Sequence, residues 1–403
     1  MKRLYQDVFQ DQLAKHRQML FVMGPRQSGK TTVAQKMAAT QEKGFYLNWD
    51  NINDREQIIR GPNVIAERTA LSLLTQDKPL IIFDDIHKYK NWRDFLKGFY
   101  DSYPHASRIM VTGSAKLDVF NRGGDSLMGR YFPFRFHPLS VAELIQTGVN
   151  TTQEYWQIPK AISHEQFETL WKFGGYPDPF LKQSESFSLR WQKLRQQQIF
   201  DEDIRDLTRI QDIDRIELLA EKLKSSVGSL VSYQSLATHL RVSDKTIRNW
   251  LSVLKSIYFC FGIRPWSNNI ARSLLKEPKY YLWDWSLCKE EGKKAENMIA
   301  QHLLKAIHFW NDIGLGEYEL YFIRDKEKRE VDFLVTKNNK PWLLIEVKLT
   351  NQEISTALKY FHQCLKPQFT FQVVMNMDFV EKNCFQSQNI LIVSAKTFLS
   401  QLV

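Results

Sequence analysis

The first hundred or so residues alternate between short apolar runs and longer polar or amphipathic stretches. Apolar runs lie at Met19–Met23, Gly44–Trp49, Leu80–Phe83 and Arg108–Thr112. A helical pattern follows the first run, from Lys30 to about Ala39. Short buried strands that alternate with helices are typical of a parallel sheet covered by helices. The pattern therefore predicts an α/β domain at the start of the chain.

The rest of the chain changes its pattern twice. It is mainly helical to about residue 223, and a compact helix-turn-helix pattern then extends to about residue 290. Strands return in the last hundred residues and are predicted at Glu319–Ile323, Val331–Val335 and Trp342–Lys348. We therefore predict an α/β fold overall, with four domains at residues 1–140, 141–223, 224–290 and 291–403.

Charge and cysteine usage narrow the class of protein. The 403 residues carry a formal net charge of +10, with a pI of about 9.2. This favours a polyanionic partner, with nucleic acid ahead of a membrane, although a basic protein without such a partner has the same charge. The four cysteines are far apart and form no CxxC pair, as expected of reduced thiols in a cytoplasmic protein. No stretch resembles a signal peptide or a membrane span, so we expect a soluble protein with no membrane partner.

A glycine-rich motif directly follows the first apolar run and opens the first predicted helix. The segment Gly24–Thr31 matches GxxxxGK[ST] in full. Its glycines let the backbone N–H groups point at phosphate oxygens, Lys30 can reach the β- and γ-phosphates, and the Thr31 hydroxyl can ligate Mg²⁺. We predict that ATP with Mg²⁺ is bound by Gly24, Pro25, Arg26, Gln27, Ser28, Gly29, Lys30, Thr31 and Thr32.

Two acidic residues stand at the end of the third apolar run. Asp84 and Asp85 follow Leu80–Phe83 directly, and the carboxyl ends of parallel strands are where such sheets bind ligands. We predict that Asp84 holds Mg²⁺ from the second coordination shell, with Thr31 as a ligand of the ion, and that Asp85 polarises the attacking water. Asp84, Asp85 and Lys30 are therefore predicted catalytic residues.

The fourth apolar run ends in polar residues that continue to Ser114. We predict that Ser114, or else Thr112, senses the γ-phosphate. Arginine can stabilise the charge that develops during phosphoryl transfer. Arg130 and Arg135 are candidates for this role, and either can equally be a structural arginine. We include Ser114 and Arg130 among the predicted catalytic residues.

The order of these motifs resembles a known family. It runs GPRQSGKTT, LIIFDDIHK, VTGSA and GRYFPFRFHPLSVAEL. A later stretch, Phe173-Gly174-Gly175-Tyr176-Pro177, is similar to a further signature of that family. The chain resembles AAA+-like ATPases of bacteria and archaea whose C-terminal half has been catalogued as a domain of unknown function.

The resemblance covers most of the chain and implies an architecture for all four predicted domains. It implies a AAA+-like P-loop NTPase core, a helical lid, a winged helix and a restriction-nuclease-like C-terminal domain. The main departure is Asp85, where the family tends to have Glu.

The predicted helix-turn-helix segment has the pattern of a DNA-recognition unit. Ser243 can cap its second helix, in which Ile247, Leu251, Leu254 and Tyr258 recur at helical spacing and are expected to face the core. The segment after that helix, Cys260–Ser267, can fold back as a wing carrying Arg264. Nine Lys/Arg stand against four Asp/Glu in residues 231–290. The polar face predicts DNA contacts by Lys245, Arg248, Asn249 and Lys255, together with Ser252. A winged helix that only packs or binds protein is the alternative.

Two predicted hairpin strands near the C-terminus carry a nuclease-like set of residues. Asp332 lies on the first, while Glu346 and Lys348 lie on one face of the second. Two acids can hold a divalent ion, and a lysine can orient water or stabilise a pentavalent phosphate. The spacing resembles PD-(D/E)XK nucleases, in which a helical acid upstream, here Glu296, often joins the site. A second divalent metal in this domain is therefore expected if the domain cleaves DNA, whereas a DNA-binding or structural role needs none.

Three hypotheses of function follow from these patterns. The first is an ATPase that remodels or translocates duplex or branched DNA, for example by junction branch migration or a helicase-like activity. The second is an ATP-regulated DNA nuclease. The third is an ATP-dependent signalling switch that binds proteins. DNA and further copies of the chain are the expected partners.

Overall fold

The computed structural model describes residues 2–71, 78–103, 106–114, 127–146, 156–205, 212–267, 276–350, 353–387 and 389–403. The chain divides into two compact units, Met1–Pro138 and Leu139–Val403, called unit 1 and unit 2 below. The domain boundaries predicted at 140/141, 223/224 and 290/291 remain predictions.

Unit 1 consists of a five-stranded sheet and flanking helices. The described strands are β1 Met19–Met23, β2 Gly44–Asn48, β3 Leu80–Asp84, β4 Arg108–Gly113 and β5 Tyr131–Arg135. The described helices are α1 Tyr5–Lys15, α2 Lys30–Thr40, α3 Ile52–Arg60, α4 Pro62–Arg68 and α5 Trp92–Ser102. Every residue of β1 and β3 is buried, as expected of strands covered on both faces. The four strands predicted in this segment are confirmed to within one residue at each end.

All strand pairs of this sheet are parallel, in the order β2-β3-β4-β1-β5. The carboxyl ends of β3, β4 and β1 therefore lie side by side at one edge. The chain leaves β1 for the far side of the sheet, returns through β3 and β4, and then crosses to β5. Such a change of direction opens a crevice at the carboxyl edge, where α/β sheets bind ligands. The residues after β1, β3 and β4 thus meet at one place.

Unit 2 begins with helices and ends in a mixed sheet. Its described helices are α6 Val141–Ile145, α7 His164–Phe173, α8 Pro177–Lys182, α9 Glu185–Gln197 with a π-helical continuation Gln198–Ile204, α10 Ile213–Ser225, α11 Tyr233–Leu240, α12 Asp244–Ser256, α13 Glu291–Asp312, α14 Thr356–Leu365 and α15 Ala395–Ser400. Its described strands are β6 Cys260–Pro265, β7 Lys279–Leu282, β8 Tyr318–Arg324, β9 Glu330–Lys337, β10 Lys340–Lys348, β11 Phe369–Val374 and β12 Ile390–Ser394.

The sheet of unit 2 runs across the predicted boundary at 290/291. Its order is β12-β11-β10-β9-β8-β6-β7. The predicted hairpin is confirmed, since β9 and β10 pair antiparallel around Asn338 and Asn339, which both have positive φ. On the other side, β6 pairs in parallel with β8 at Arg264 and Pro265 and antiparallel with β7. The strands that follow the helix-turn-helix therefore form the end of the C-terminal sheet.

None of the helices in the described ranges combines the length and the apolar character needed to cross a bilayer.

Candidate functional site

The loop after β1 has the backbone of a phosphate cradle. The Phe136 N–H donates to the Met23 carbonyl at 2.6 Å, and a Cβ on Gly24 would lie 2.1 Å from the Phe136 carbonyl oxygen. Only glycine fits position 24. Gln27 and Gly29 both have positive φ, 60° and 99°, so the loop curls before α2 begins at Lys30. This geometry turns N–H groups inward at a helix N-terminus, where anions bind.

Lys30 is buried in this loop. Its ammonium donates to the carbonyl groups of Gly24 at 2.9 Å and Pro25 at 2.7 Å, and the Ser28 hydroxyl donates to Pro25 as well. Thr31 and the following Thr32 are exposed at the start of α2. A buried cation, inward N–H groups and an exposed hydroxyl suit a nucleotide phosphate with Mg²⁺.

Arg3, which precedes the loop by more than twenty residues in the sequence, forms hydrogen bonds that hold the loop in place. This buried guanidinium donates to the Ser28 carbonyl at 2.5 Å and to the His137 carbonyl at 2.7 Å. It thus ties the loop to the segment after β5. Sequence patterns gave no sign of this role, because the contact joins residues that are far apart in the chain.

Asp84 ends β3 as a buried and doubly hydrogen-bonded carboxylate. Its Oδ1 accepts from the Thr112 hydroxyl on β4, and its Oδ2 accepts from the Tyr46 hydroxyl on β2 at 2.5 Å. Burial, followed by the hydrogen bond to Asp84, raises the pKa of Tyr46 well above its usual value, so Tyr46 stays a donor. Thr112 therefore orients Asp84 in this structure, and so does Tyr46, whose contact with Asp84 no motif indicates.

Asp85, His87 and Ser114 form a second group at this edge. Asp85 has φ 55° and lies 3.2 Å from the Lys88 ammonium and 3.8 Å from His87 Nδ1. His87 Nε2 lies 3.1 Å from the Ser114 hydroxyl. The buried imidazole of His87 thus stands between the predicted water-polarising acid and the predicted sensor. No role was predicted for His87, although it lies in the LIIFDDIHK segment, because only the two acids of that segment were assigned a chemistry.

The two candidate arginines lie at opposite ends of β5: Arg130 at its amino end and Arg135 at its carboxyl end. Because β5 runs parallel to β1 with Tyr131 beside Met19 and Arg135 beside Met23, Arg135 is next to the phosphate-binding loop. Arg130 precedes β5 and is a strand length away, roughly 16 Å at about 3.3 Å per residue. It forms a two-fold ion pair with Asp101 instead. Arg130 thus lies away from the phosphate-binding loop of its own chain, and a catalytic role for it remains a prediction.

Unit 2 contains the predicted pair of helices. Arg241, with φ 53°, makes the turn between α11 and α12, and the Ser243 hydroxyl caps α12 by accepting from the Thr246 N–H at 3.0 Å. The expected apolar stripe of α12 is confirmed by the burial of its three residues Ile247, Leu251 and Leu254. The prediction for Tyr258 is wrong, because α12 ends at Ser256 and Tyr258 is only half-buried.

The opposite face of α12 is polar and exposed. Its exposed residues include all the predicted DNA contacts, Lys245, Arg248, Asn249 and Lys255, and also Ser252. Arg248 donates to Asp244 at 2.7 Å, and its guanidinium lies 4.2 Å from the centre of the Tyr233 ring on α11. Arg248 is thus held in place by both helices of the pair.

The predicted nuclease-like residues come together in unit 2. Lys348 donates to Glu346 Oε1 at 2.8 Å on one face of β10, and Asp332 Oδ2 on β9 accepts from the Val347 N–H at 2.8 Å. Glu296 on α13 lies beside β9, since the Lys279 ammonium contacts both Glu296 and Glu330, and the charge on Asp332 helps to raise the pKa of Glu296. We call Glu296, Glu330, Asp332 and Glu346 the acidic cluster.

Two residues of β7 also reach the acidic cluster and were missed. Lys279 lies 2.7 Å from Glu330 Oε1 and 3.4 Å from Glu296 Oε1. The Tyr281 hydroxyl donates to Glu296 Oε1 at 2.6 Å. Burial, and then the charge of Asp332, raise the pKa of both Glu296 and Glu346 to about 7. β7 precedes the motif and shows no acidic pattern, so only its place in the sheet reveals these contacts.

The acidic cluster has the donor chemistry of a divalent metal site but not the arrangement. Within the described part of the chain, no three His, Cys, Asp or Glu side chains are placed to hold a metal ion. Asp332 and Glu296 already accept hydrogen bonds, and lysines lie beside both glutamates. The residues as arranged do not fit a metal ion, and we derive no metal-dependent step from them.

Comparison with known families agrees with the geometry of unit 1. Residues 16–145 match the family described as an AAA domain. The chain carries a P-loop ATPase domain of the AAA type. Residues 164–293 and 291–395 match two further families, DUF8612 and DUF4143, each described as a domain of unknown function. Neither of these descriptions assigns an activity to unit 2.

Similar proteins cover most of the chain. The uncharacterized protein MJ1544 of Methanocaldococcus jannaschii is 24% identical over 86% of this chain and 78% of its own length. The uncharacterized protein Rv2008c of Mycobacterium tuberculosis is 23% identical over 85% of this chain and 73% of its own length. Among solved structures, AMPPCP-bound DnaA from Aquifex aeolicus is 13% identical with a TM-score of 0.31, over 62% of this chain and 86% of that one. A TM-score this low does not establish that the two chains share a fold.

Proposed function

We propose that this protein is a Mg²⁺-dependent ATPase that acts on DNA and uses ATP to remodel or translocate duplex or branched DNA. The observation that carries the DNA part is the exposed polar face of α12. Its three predicted cationic contacts and Asn249 all point away from the buried stripe, and cations on one helix face can contact successive phosphates. The overall charge of +10 favours the same partner.

In this proposal the residues of the ATP site have different roles in binding and hydrolysis. The Lys30 ammonium and the loop N–H groups hold the phosphates, and Thr31 with Asp84 holds Mg²⁺, which neutralises charge on the β- and γ-phosphates when bound. Asp84 is oriented for this by its two hydroxyl donors. Asp85 takes a proton from the attacking water, and Ser114 contacts the γ-phosphate.

The test is ATP turnover measured without DNA and with single-stranded, duplex and four-way-junction DNA. We expect turnover to rise with DNA, and the most effective DNA to identify the substrate. Arg248→Glu with Lys255→Glu should remove the stimulation and flatten the salt dependence of DNA binding, because each lost phosphate contact reduces counterion release. Turnover without DNA should not change.

A matched control reverses two exposed charges on another helix of unit 2. Arg190 and Lys193 on α9 are exposed, so Arg190→Glu with Lys193→Glu makes the same change in net charge. This control should keep most of the stimulation by DNA. Equal losses in both double variants would mean that net charge, and not α12, determines binding.

The other hypotheses predict different results in the same assay. A signalling switch that binds proteins predicts turnover indifferent to every DNA. An ATP-regulated nuclease predicts cleavage that needs Mg²⁺ or Mn²⁺ and is lost in Lys348→Ala. The convergence of Glu296, Asp332 and Glu346 favours a nuclease, whereas the lysines beside them argue against a bound metal ion.

A further inference from the structure

Lys279 is a buried lysine at the acidic cluster. Its side chain is 3% exposed, and its ammonium also lies 5.4 Å from the centre of the Phe322 ring. A buried ammonium is costly unless close partners offset its loss of hydration. The carboxylates of Glu330 and Glu296, at 2.7 and 3.4 Å, are those partners. Lys279 is therefore held where it is by the cluster itself.

The charges around Lys279 nearly cancel without a metal ion. The four carboxylates of the acidic cluster face three cations, Lys279, Lys348 and Arg324, the last at 2.8 Å from Glu330 Oε2. A single shared proton makes this set neutral. A divalent ion added beside Lys279 would leave a net positive charge, whereas a divalent ion in place of Lys279 would give neutrality.

The carboxylate oxygens that a metal ion would need are largely occupied. Glu296 Oε1 accepts from Tyr281, and its Oε2 faces Gly228, where a Cβ would lie 2.7 Å away. Gly228 has φ +70°, so glycine is also required by its backbone. Among the described residues, none donates a hydrogen bond to the buried Oε2 of Glu346. One oxygen left without a donor does not make a metal site.

We propose that the Lys279 ammonium takes the place of a divalent metal ion in the acidic cluster, so that the chain itself neutralises this site and a metal ion enters only when Lys279 is removed or displaced. The cluster is then a nuclease-shaped site with a built-in cation. This inference is independent of ATP turnover and of DNA binding by α12.

The position of Lys279 in the chain gives the proposal a structural consequence. Lys279 and Tyr281 lie on β7, outside the match at residues 291–395 that contains the four carboxylates. Two sequence segments thus build one site. A fragment that begins at residue 291 lacks the resident cation, so metal binding must be measured on the full chain.

The test is Mn²⁺ binding to nucleotide-free, full-length protein, measured from the electron paramagnetic resonance signal of free Mn²⁺ and from the melting temperature. We compare wild type with Lys279→Met, and each with the same protein carrying Asp332→Asn, which reports only on this site. Wild type should show no binding that depends on Asp332. Lys279→Met should bind one Mn²⁺ per chain at least about tenfold more tightly and gain melting temperature with Mn²⁺, because its carboxylates lack a cation.

A second variant covers the case in which Lys279→Met does not fold. Lys279→Gln also removes the ammonium charge, keeps all four carboxylates and retains a polar side chain that can donate to Glu330 and Glu296, so it should raise Mn²⁺ affinity in the same direction. Lys224→Met, which removes a lysine paired with Glu221 elsewhere in unit 2, is the matched control and should behave as wild type.

Two results would overturn the proposal. One is Asp332-dependent Mn²⁺ binding in wild type as tight as in the Lys279→Met and Lys279→Gln variants. The other is the absence of Asp332-dependent binding in every folded variant, which would mean that Lys279 does not occupy a cation position.

Discussion

At the scale of single residues, Asp84 is an acid whose carboxylate is held in one orientation. Both of its oxygens accept hydroxyl hydrogen bonds, from Tyr46 and from Thr112. Donors around a metal-binding carboxylate fix its direction before the ion arrives, and such partners matter for affinity and activity. The direction of the Asp84 carboxylate is therefore fixed as the proposed Mg²⁺ site requires, whereas Asp85 forms an ion pair with Lys88 and lies 3.8 Å from His87 Nδ1.

Lys30→Ala should weaken ATP binding by about 10- to 100-fold, since the phosphates lose a buried ammonium and its charge-assisted hydrogen bonds. Asp84→Asn should keep weak nucleotide binding but lose Mg²⁺-dependent hydrolysis. Calorimetric titration with ATP and a phosphate-release assay measure the two effects. Unchanged ATP affinity in Lys30→Ala would contradict the assignment of the site.

Residues with fixed motif chemistry could be predicted from the sequence, and their supports could not. Lys30 and Asp84 stand where the proposed phosphate and Mg²⁺ contacts require a lysine and an acid, so short patterns point to them, and their roles remain predictions. Arg3, Tyr46 and His87 act through contacts between distant segments. No local pattern marks such contacts, because they arise only when the strands are placed side by side.

At the scale of elements, β5 separates the two candidate arginines. Its parallel register beside β1 brings Arg135 to the level of Met23, where the phosphate-binding loop begins. The chain enters β5 at the other edge, which places Arg130 beside Asp101 on α5. β5 is only five residues long, yet it places Arg130 and Arg135 at opposite ends of the sheet's strands.

Arg135→Ala should lower kcat for ATP by roughly 10²-fold or more, with little change in ATP affinity, because a guanidinium beside the phosphates stabilises charge mainly in the transition state. Arg130→Ala removes the same group at the far edge and should leave kcat within about twofold. Steady-state turnover and ATP titration of both variants provide the comparison. A larger loss in Arg130→Ala would place its guanidinium in an ATP site after all, such as that of a neighbouring copy.

The first and last residues of most strands could be predicted from the sequence, but some of the strand pairings could not. Apolar runs fixed β1 to β4 and the β9–β10 hairpin, since burial on one or both faces leaves a pattern in the sequence. The pairing of β6 with β8 rests on two residues, Arg264 and Pro265. Their sequence gives no signal for a partner more than fifty residues away, and so the contribution of β7 to the acidic cluster was missed.

At the scale of the whole molecule, the AAA match does not end where unit 1 ends. It extends to residue 145, whereas unit 1 ends at Pro138. The last part of the match contains α6, whose Glu143 forms a fully buried ion pair with Lys305 of α13 at 2.6 Å. The Val141 N–H donates to His302 of the same helix at 3.1 Å. The end of the ATPase sequence is thus fixed in the core of unit 2.

Breaking this ion pair from one side should destabilise unit 2 more than removing it. Glu143→Met leaves a buried ammonium and Lys305→Met a buried carboxylate, and each should lower the free energy of unfolding by about 3–5 kcal/mol. The double variant, in which two thioether side chains of similar volume meet, should lose less than either single variant. Urea unfolding of the four proteins gives the coupling free energy directly. ATP affinity, measured in parallel, reports whether unit 1 remains folded in each variant. Strictly additive losses would show that the two charges do not stabilise one another, and α6 would then be held in unit 2 by its apolar contacts and by His302.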